Sequence, residues 1–198
     1  MILSIEYKIL NKIRKAGRGS LFFTNDFISY GNSKAVSKAL ERLVEKGEIK
    51  RVSRGIYTRP KTNKLVGEVM PSVEDIAKAI AKRDKARIIP TASYALNALG
   101  LSTQVPLNAV FITDGAARKI KLDYGMITFK KTAPKNLATI GKTSGMVIQA
   151  LKEIGKEKVE EWEENKIIQL LKKEDESKLK HDIKIAPEWI RVIMRKAL

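Results

Sequence analysis

Residues 32–59, NSKAVSKALERLVEKGEIKRVSRGIYTR, restrict the fold more than any other stretch. Val36, Leu40, Leu43 and Val44 recur at helical spacing and make one apolar stripe. Lys34, Ser37, Lys38, Glu41 and Glu45 take the opposite face. Asn32 or Ser33 caps the helix start, because a short polar side chain there accepts backbone N–H groups that lack a partner. Gly47 ends the helix, since glycine adopts the positive φ that follows a last turn. Ile49-Lys50-Arg51-Val52 and Ile56-Tyr57-Thr58 then read as short strands. Ser53-Arg54-Gly55 is the tight turn between them.

This order predicts a winged helix-turn-helix. The helix is narrow enough to enter a DNA major groove, and the cations of the hairpin can meet phosphates beside it. The plainer alternative is a surface helix and a hairpin in an α+β domain. Helix, glycine, basic strand, Arg-Gly turn and strand in succession favour DNA. Upstream, residues 3–16 predict a first helix, with Ile5, Ile9 and Ile13 on one face, stopped by Gly17-Arg18-Gly19. Leu21-Phe22-Phe23 predicts a strand that closes a small sheet with the wing. Thr24 reads as the cap of a short helix carrying Asp26, Phe27 and Ile28. Phe22, Phe23 and Phe27 are expected in the core rather than stacked on bases.

Charge concentrates in the same region. Residues 1–64 hold 15 Lys and Arg against 5 acids, and residues 65–198 hold 24 against 17, for a formal net charge of +17. A third of the chain thus carries more than half of the excess. Such a field attracts polyanions and makes their binding salt-dependent. Cysteine is absent, which removes disulfides and thiolate metal sites. Apolar runs fall short of the ~18–20 residues that span a bilayer. The first fifteen residues mix charges with isoleucines and do not read as a secretory signal. A cytoplasmic protein without membrane association is expected.

Residues 61–72 read as a linker, interrupted by Gly67 and Pro71. Ser72 caps the next helix, whose apolar side is Val73, Ile76, Ala77 and Ile80. Ile88–Pro90 predicts a strand, Thr91–Leu99 a helix ended by Gly100, and Leu107–Thr113 a strand. Arg118–Leu122 and Met126–Lys131 add two more, giving a small antiparallel sheet. From Thr143 onward the chain reads as helical, apart from a polar connection between Glu174 and His181. Pro187 opens a last helix.

Candidate chemistry is sparse. Gly141-Lys142-Thr143 has the ending of a phosphate loop, but position 136 is asparagine where that loop needs glycine. Thr143 and Ser144 therefore read as helix caps. His181 is the only histidine; it lies in a charged stretch and is expected to be solvated. Paired carboxylates at a catalytic spacing are absent. No enzyme activity, cofactor or metal is expected.

Two stretches together carry a family resemblance: GEIKRVSRGIYTRP at residues 47–60, and ARIIPTASYALNALGLSTQVPLNAVFITDG at residues 86–115. The pair resembles the AbiEi-like antitoxins of bacterial type IV toxin–antitoxin systems, over nearly the whole chain. The resemblance implies an α+β protein in three parts. These are a winged helix-turn-helix DNA-binding domain at 1–60, a linker at 61–72, and a mixed α/β antitoxin-like domain at 73–198 with a small antiparallel sheet and terminal helices. It implies a repressor that binds double-stranded DNA at its own promoter and counteracts a cognate nucleotidyltransferase-like toxin. The DNA-binding positions would be Ser33, Lys34, Ser37, Lys38 and Glu41 on the helix, with Lys50, Arg51, Arg54 and Tyr57 on the wing. Pro90, Thr91, Tyr94, Asn97, Gly100, Leu101, Thr103, Gln104 and Pro106 match the second stretch. Local structure accounts for several of these: Pro90, Gly100 and Pro106 punctuate, while Asn97 and Gln104 satisfy backbone groups. A winged-helix regulator with a ligand-sensing or dimerisation domain, and no toxin, is the alternative.

Overall fold

The computed structural model describes residues 4–104, 106 and 108–198. Leu3 and Leu107, the expected first residues of the opening helix and of the 107–113 strand, lie outside the described residues, as does Val105 of the second resemblance stretch. The chain is mixed α and β. It divides into two compact units, Met1–Ala79 with Lys121–Asp123, and Ile80–Ile120 with Tyr124–Leu198.

In the first unit, helix α1 (Ile5–Lys15) starts where Ser4 Oγ accepts the Tyr7 N–H at 3.2 Å. Its apolar spacing buries Ile9 and Ile13 completely. Strand β1 (Leu21–Phe23) leads into a short 3-10 helix, Thr24–Tyr30. The cap of that helix is not Thr24: the Asp26 carboxylate accepts the Phe23 N–H at 2.7 Å, which makes Phe23 the capping position. Phe22 and Phe27 are buried with their rings 6.0 Å apart. Helix α2 (Ser33–Glu45) is capped by Asn32 rather than Ser33, Asn32 Oδ1 accepting the Ala35 N–H at 2.9 Å. At its other end Gly47 takes a φ of +69°, which lets the Gly47 and Glu48 N–H groups close onto Val44 O and Leu43 O. Val36, Leu40 and Leu43 face the core and are fully buried.

Strands β2 (Lys50–Ser53) and β3 (Ile56–Thr58) form the hairpin, and β1 pairs antiparallel on the other side of β3, for an order β1-β3-β2. Residues 61–69, expected as linker, fold instead as a second hairpin of β4 (Lys61–Asn63) and β5 (Gly67–Val69). Asn63 Oδ1 accepts the Leu65 and Val66 N–H groups at 2.8 and 3.3 Å and shapes its turn. All six strand residues are exposed, so the alternation that marks a half-buried strand is missing from the sequence.

Helix α3 (Val73–Arg83) begins as expected, with Ser72 Oγ accepting the Asp75 N–H at 3.1 Å. The boundary between the units falls inside this helix, after Ala79, rather than at its start. Its last turn closes through the Ala86 N–H to Ala81 O, with Lys85 at a φ of +52°. A side chain in that left-handed region is strained. Lys85→Gly should therefore raise stability by up to ~1 kcal/mol, read as a higher urea midpoint at unchanged slope.

The second unit contains β6 (Ile88–Pro90), α4 (Ala92–Ala98), β7 (Asn108–Thr113), β9 (Gly125–Lys131) and the first three residues of β8 (Arg118–Leu122), whose last two, Lys121 and Leu122, count with the first unit. The strand order is β6-β7-β9-β8. β6 and β7 are antiparallel, but β7 and β9 run parallel, Phe111 opposite Phe129. The expected antiparallel sheet is thus mixed. The reason is topological: the chain leaves β7, passes to the edge as β8, turns at Asp123-Tyr124 and returns as β9 in the space between. Then come a 3-10 turn (Pro134–Leu137), α5 (Lys142–Ile154), a second 3-10 turn (Lys156–Lys158), α6 (Glu161–Leu171), α7 (Glu176–Ile185) and α8 (Glu188–Arg195). Val147, Leu151, Ile167, Leu171, Ile190 and Met194 are fully buried in their shared core. The stretch expected as a polar connection is helix α7, capped by Asp175, whose carboxylate accepts the Lys178 N–H. Among the described residues no helix is long and apolar enough to cross a membrane.

Candidate nucleic-acid interface

The outer face of α2 is set by its inner one. With Val36, Leu40 and Leu43 committed to the core, Ser33, Lys34, Ser37, Lys38 and Glu41 fall on one strip at helical spacing. Ser33, Lys34, Lys38 and Glu41 are exposed and Ser37 is half-buried. The strip runs about 12 Å from Ser33 to Glu41 at 1.5 Å per residue. In the β2–β3 hairpin, Arg51 and Arg54 are exposed. Gly55 holds a φ of +74° after Arg54, the left-handed turn position that glycine fills without strain.

Lys50 is half-buried and lies 3.3 Å from Glu68 of the second hairpin. Tyr57 does not join this surface. It is 5% exposed and belongs to the core with Phe22 and Phe27, because each residue of β3 is buried between β1 and β2. Of the nine positions, Tyr57 is therefore withdrawn from the interface.

Apart from Lys50, the cations of this face are not neutralised by carboxylates among the described residues. Among the described residues Lys34, Lys38, Arg51 and Arg54 have no carboxylate at ion-pair distance, whereas Arg14 pairs with Glu48 and Lys46 with Glu6. Free cations on one strip and one turn focus a positive potential there.

The other singled-out residues resolve into structure. Thr143 and Ser144 are not side-chain caps; Gly141 is the capping position of α5. Glu174 accepts the Thr143 and Ser144 N–H groups at 2.7 and 2.9 Å. Asp182 accepts the Ile140 and Gly141 N–H groups, each at 2.9 Å, and the Ser144 hydroxyl at 2.6 Å. A Cβ on Gly141 would stand 2.2 Å from Ser144 Oγ and 2.7 Å from Glu174 Oε2, so the close approach requires glycine. The donors that a phosphate loop would offer to a ligand are taken by the chain's own carboxylates. His181, expected to be solvated, is half-exposed with Nδ1 2.8 Å from Asp182 Oδ1.

The 86–115 stretch is closed at its ends by one pair. The Arg87 N–H and Nε donate to the two Asp114 carboxylate oxygens at 2.7 and 2.8 Å. These hydrogen bonds, the one from the Arg87 side chain foremost, hold the Asp114 carboxyl below the usual carboxylate range. Between them, the Thr91 hydroxyl donates to Val110 O at 3.1 Å and Asn97 Nδ2 to Ser102 O at 3.2 Å. The Tyr94 and Phe111 rings lie 5.4 Å apart. Gln104 departs from its expected role: it is exposed, and among the described residues it is its backbone N–H that is held, by Ser102 Oγ. Gly100 has a φ of +68° at the end of α4. Among the described residues, no group of three or more His, Asp or Glu is placed to hold a metal ion.

A family model described as a "Family of unknown function (DUF6088)" matches residues 8–179. The chain belongs to that family. No curated protein matches it. Among solved structures, the crystal structure of the RV2827C protein from Mycobacterium tuberculosis is similar at 10% identity, covering 100% of this chain and 83% of that one, with a TM-score of 0.47.

Proposed function

We propose that the first unit is a winged helix-turn-helix that binds duplex DNA upstream of its own reading frame, and that the protein is an autorepressing antitoxin. The observation that carries the DNA reading is the strip of exposed, unpaired cations on α2 beside the Arg54 turn. In this reading α2 lies in the major groove, with Ser33, Lys34, Ser37, Lys38 and Glu41 toward base edges. Arg51 and Arg54 meet the phosphates alongside, and Lys50 joins them once released from Glu68. The protein acts in the cytoplasm and carries out no catalytic step.

The second unit counteracts a nucleotidyltransferase-like toxin encoded beside it. The support for this half is the resemblance of residues 47–60 and 86–115 to AbiEi-like antitoxins. The test has two stages. A gel shift with the purified protein and its own upstream duplex, against scrambled competitor at moderate salt, is expected to show specific retention. Equal retention of both duplexes would overturn the operator reading. Co-expression with the neighbouring toxin is then expected to restore growth; growth arrest with and without the protein would leave a regulator that has no antitoxin role.

A further inference from the structure

Helix α1 carries a cationic cleft on the flank of its core stripe. The cleft is shallow and open to solvent, about 380 Å³ in volume, and is lined by Lys8, Asn11, Lys12, Lys15 and Tyr30. The lining contains amines, an amide and a phenol, and no carboxylate. Lys12 is held in place: its Nζ donates to Asp26 O at 2.6 Å and lies 5.3 and 5.7 Å from the ring centroids of Phe27 and Tyr30. Among the described residues Lys8 and Lys15 have no ion-pair partner, while Glu6 on the same helix is taken by Lys46. Positive charge in a concave site with free donors fits a phosphate-type oxyanion.

The place of the cleft narrows the ligand. Tyr30 stands three residues before Ser33, the first residue of α2. At 3.8 Å per residue the intervening chain covers at most ~11 Å. Lys8 and Lys15 are separated by about 10 Å along α1, far enough apart to meet different phosphates of one duplex, whose charges succeed each other every ~3.4 Å of axis on each strand. We infer that this cleft is a second, sequence-independent contact for the phosphates of a duplex engaged by the start of α2. The footprint then runs from the β2–β3 turn across α2 onto α1. This inference rests on the DNA reading above and adds α1 to it.

The test is the salt dependence of binding to the upstream duplex, by fluorescence anisotropy, for the full chain and for Lys8→Gln and Lys15→Gln. Both side chains lie at the surface of α1, so the fold is preserved. Lys184→Gln on α7, an exposed lysine of the second unit, is the control. Each cleft variant should reduce the slope of log K against log salt by about 0.9, with the ratio of own to scrambled duplex unchanged and the control slope that of the parent. Specific binding with unaltered slopes in both cleft variants would overturn the cleft and leave α2 as the DNA-reading helix. Parent protein that cannot tell own from scrambled duplex, with slopes that still fall, would overturn the operator reading and leave the cleft. Inorganic triphosphate is added without DNA as a last arm. Saturable binding lost in the same two variants would overturn a nucleic-acid backbone as its ligand.

Discussion

Asp182→Ala is expected to destabilise the second unit by about 3–5 kcal/mol. Asp182 is fully buried on α7 and accepts the Ile140 and Gly141 N–H groups and the Ser144 hydroxyl. Alanine would leave three donors at the start of α5 without a partner, of which the Gly141 N–H and the Ser144 hydroxyl are buried and the Ile140 N–H is partly so. A buried donor left unsatisfied costs roughly 1–3 kcal/mol, so even partial relaxation leaves a large loss. The readout is urea unfolding followed by tryptophan fluorescence. Both tryptophans, Trp162 and Trp189, lie in the second unit, so the signal reports the unit that is changed. Asp182→Asn keeps one oxygen acceptor and should lose less. A loss below ~1 kcal/mol for Asp182→Ala would mean that water replaces the carboxylate and that the capping account is wrong.

The second large effect concerns DNA. Lys38→Glu is expected to weaken the upstream duplex by about 2–3 kcal/mol, or roughly 30- to 150-fold, and to change which sequences are preferred. Lys38 is exposed midway along the α2 strip, where a major-groove helix meets base edges. Arg54→Glu should weaken all duplexes by a similar factor, since in the proposed reading the turn meets phosphates, which carry no sequence. Anisotropy on the own and scrambled duplexes separates the two behaviours. If both variants lower every duplex alike, α2 is not the reading helix.

Where the sequence is legible, the determining contacts are local. Asn32 and Gly47 bound α2 through bonds spanning only a few residues. The Arg54-Gly55 turn, the first three strands and the burial of Phe22 and Phe27 likewise follow from short-range pattern. The misses have physical causes of three kinds. The β4–β5 hairpin buries none of its strand residues, so it has no alternation to read, and its glycine and polar residues pass for a linker. Helix α7 has a thin apolar stripe of Leu179 and Ile183, and the buried residue between them is the charged Asp182. The start of α5 depends on Glu174 and Asp182, 30 or more residues further on, and a local rule then falls back on Thr143 and Ser144.

Tyr57 teaches the same lesson on the candidate site. Its place in a basic hairpin suggested the surface, but β1 covers β3 from the other side, a pairing between residues 21–23 and 56–58. The strip on α2 was readable because an amphipathic helix declares its outer face by its inner one. The α1 cleft was not: Lys8, Lys12 and Lys15 read as an ordinary solvated face, and only the fold brings Tyr30 beside them.

The order in which the chain is made gives the carboxylate cap of α5 a further consequence. Its two anchors are translated 31 residues after Thr143 and 41 after Gly141. At ~5–20 residues per second, α5 waits a few seconds on the ribosome with its first N–H groups unmet. All of the first unit but Lys121–Asp123 has been synthesised by residue 79. A nascent chain, or a message cut short before codon 174, therefore carries the segment that holds α2 and the β2–β3 hairpin but lacks the residues that close the second core. Under the proposed function, timing at the ribosome would then separate DNA engagement from toxin control, with the proposed DNA-binding half ready first.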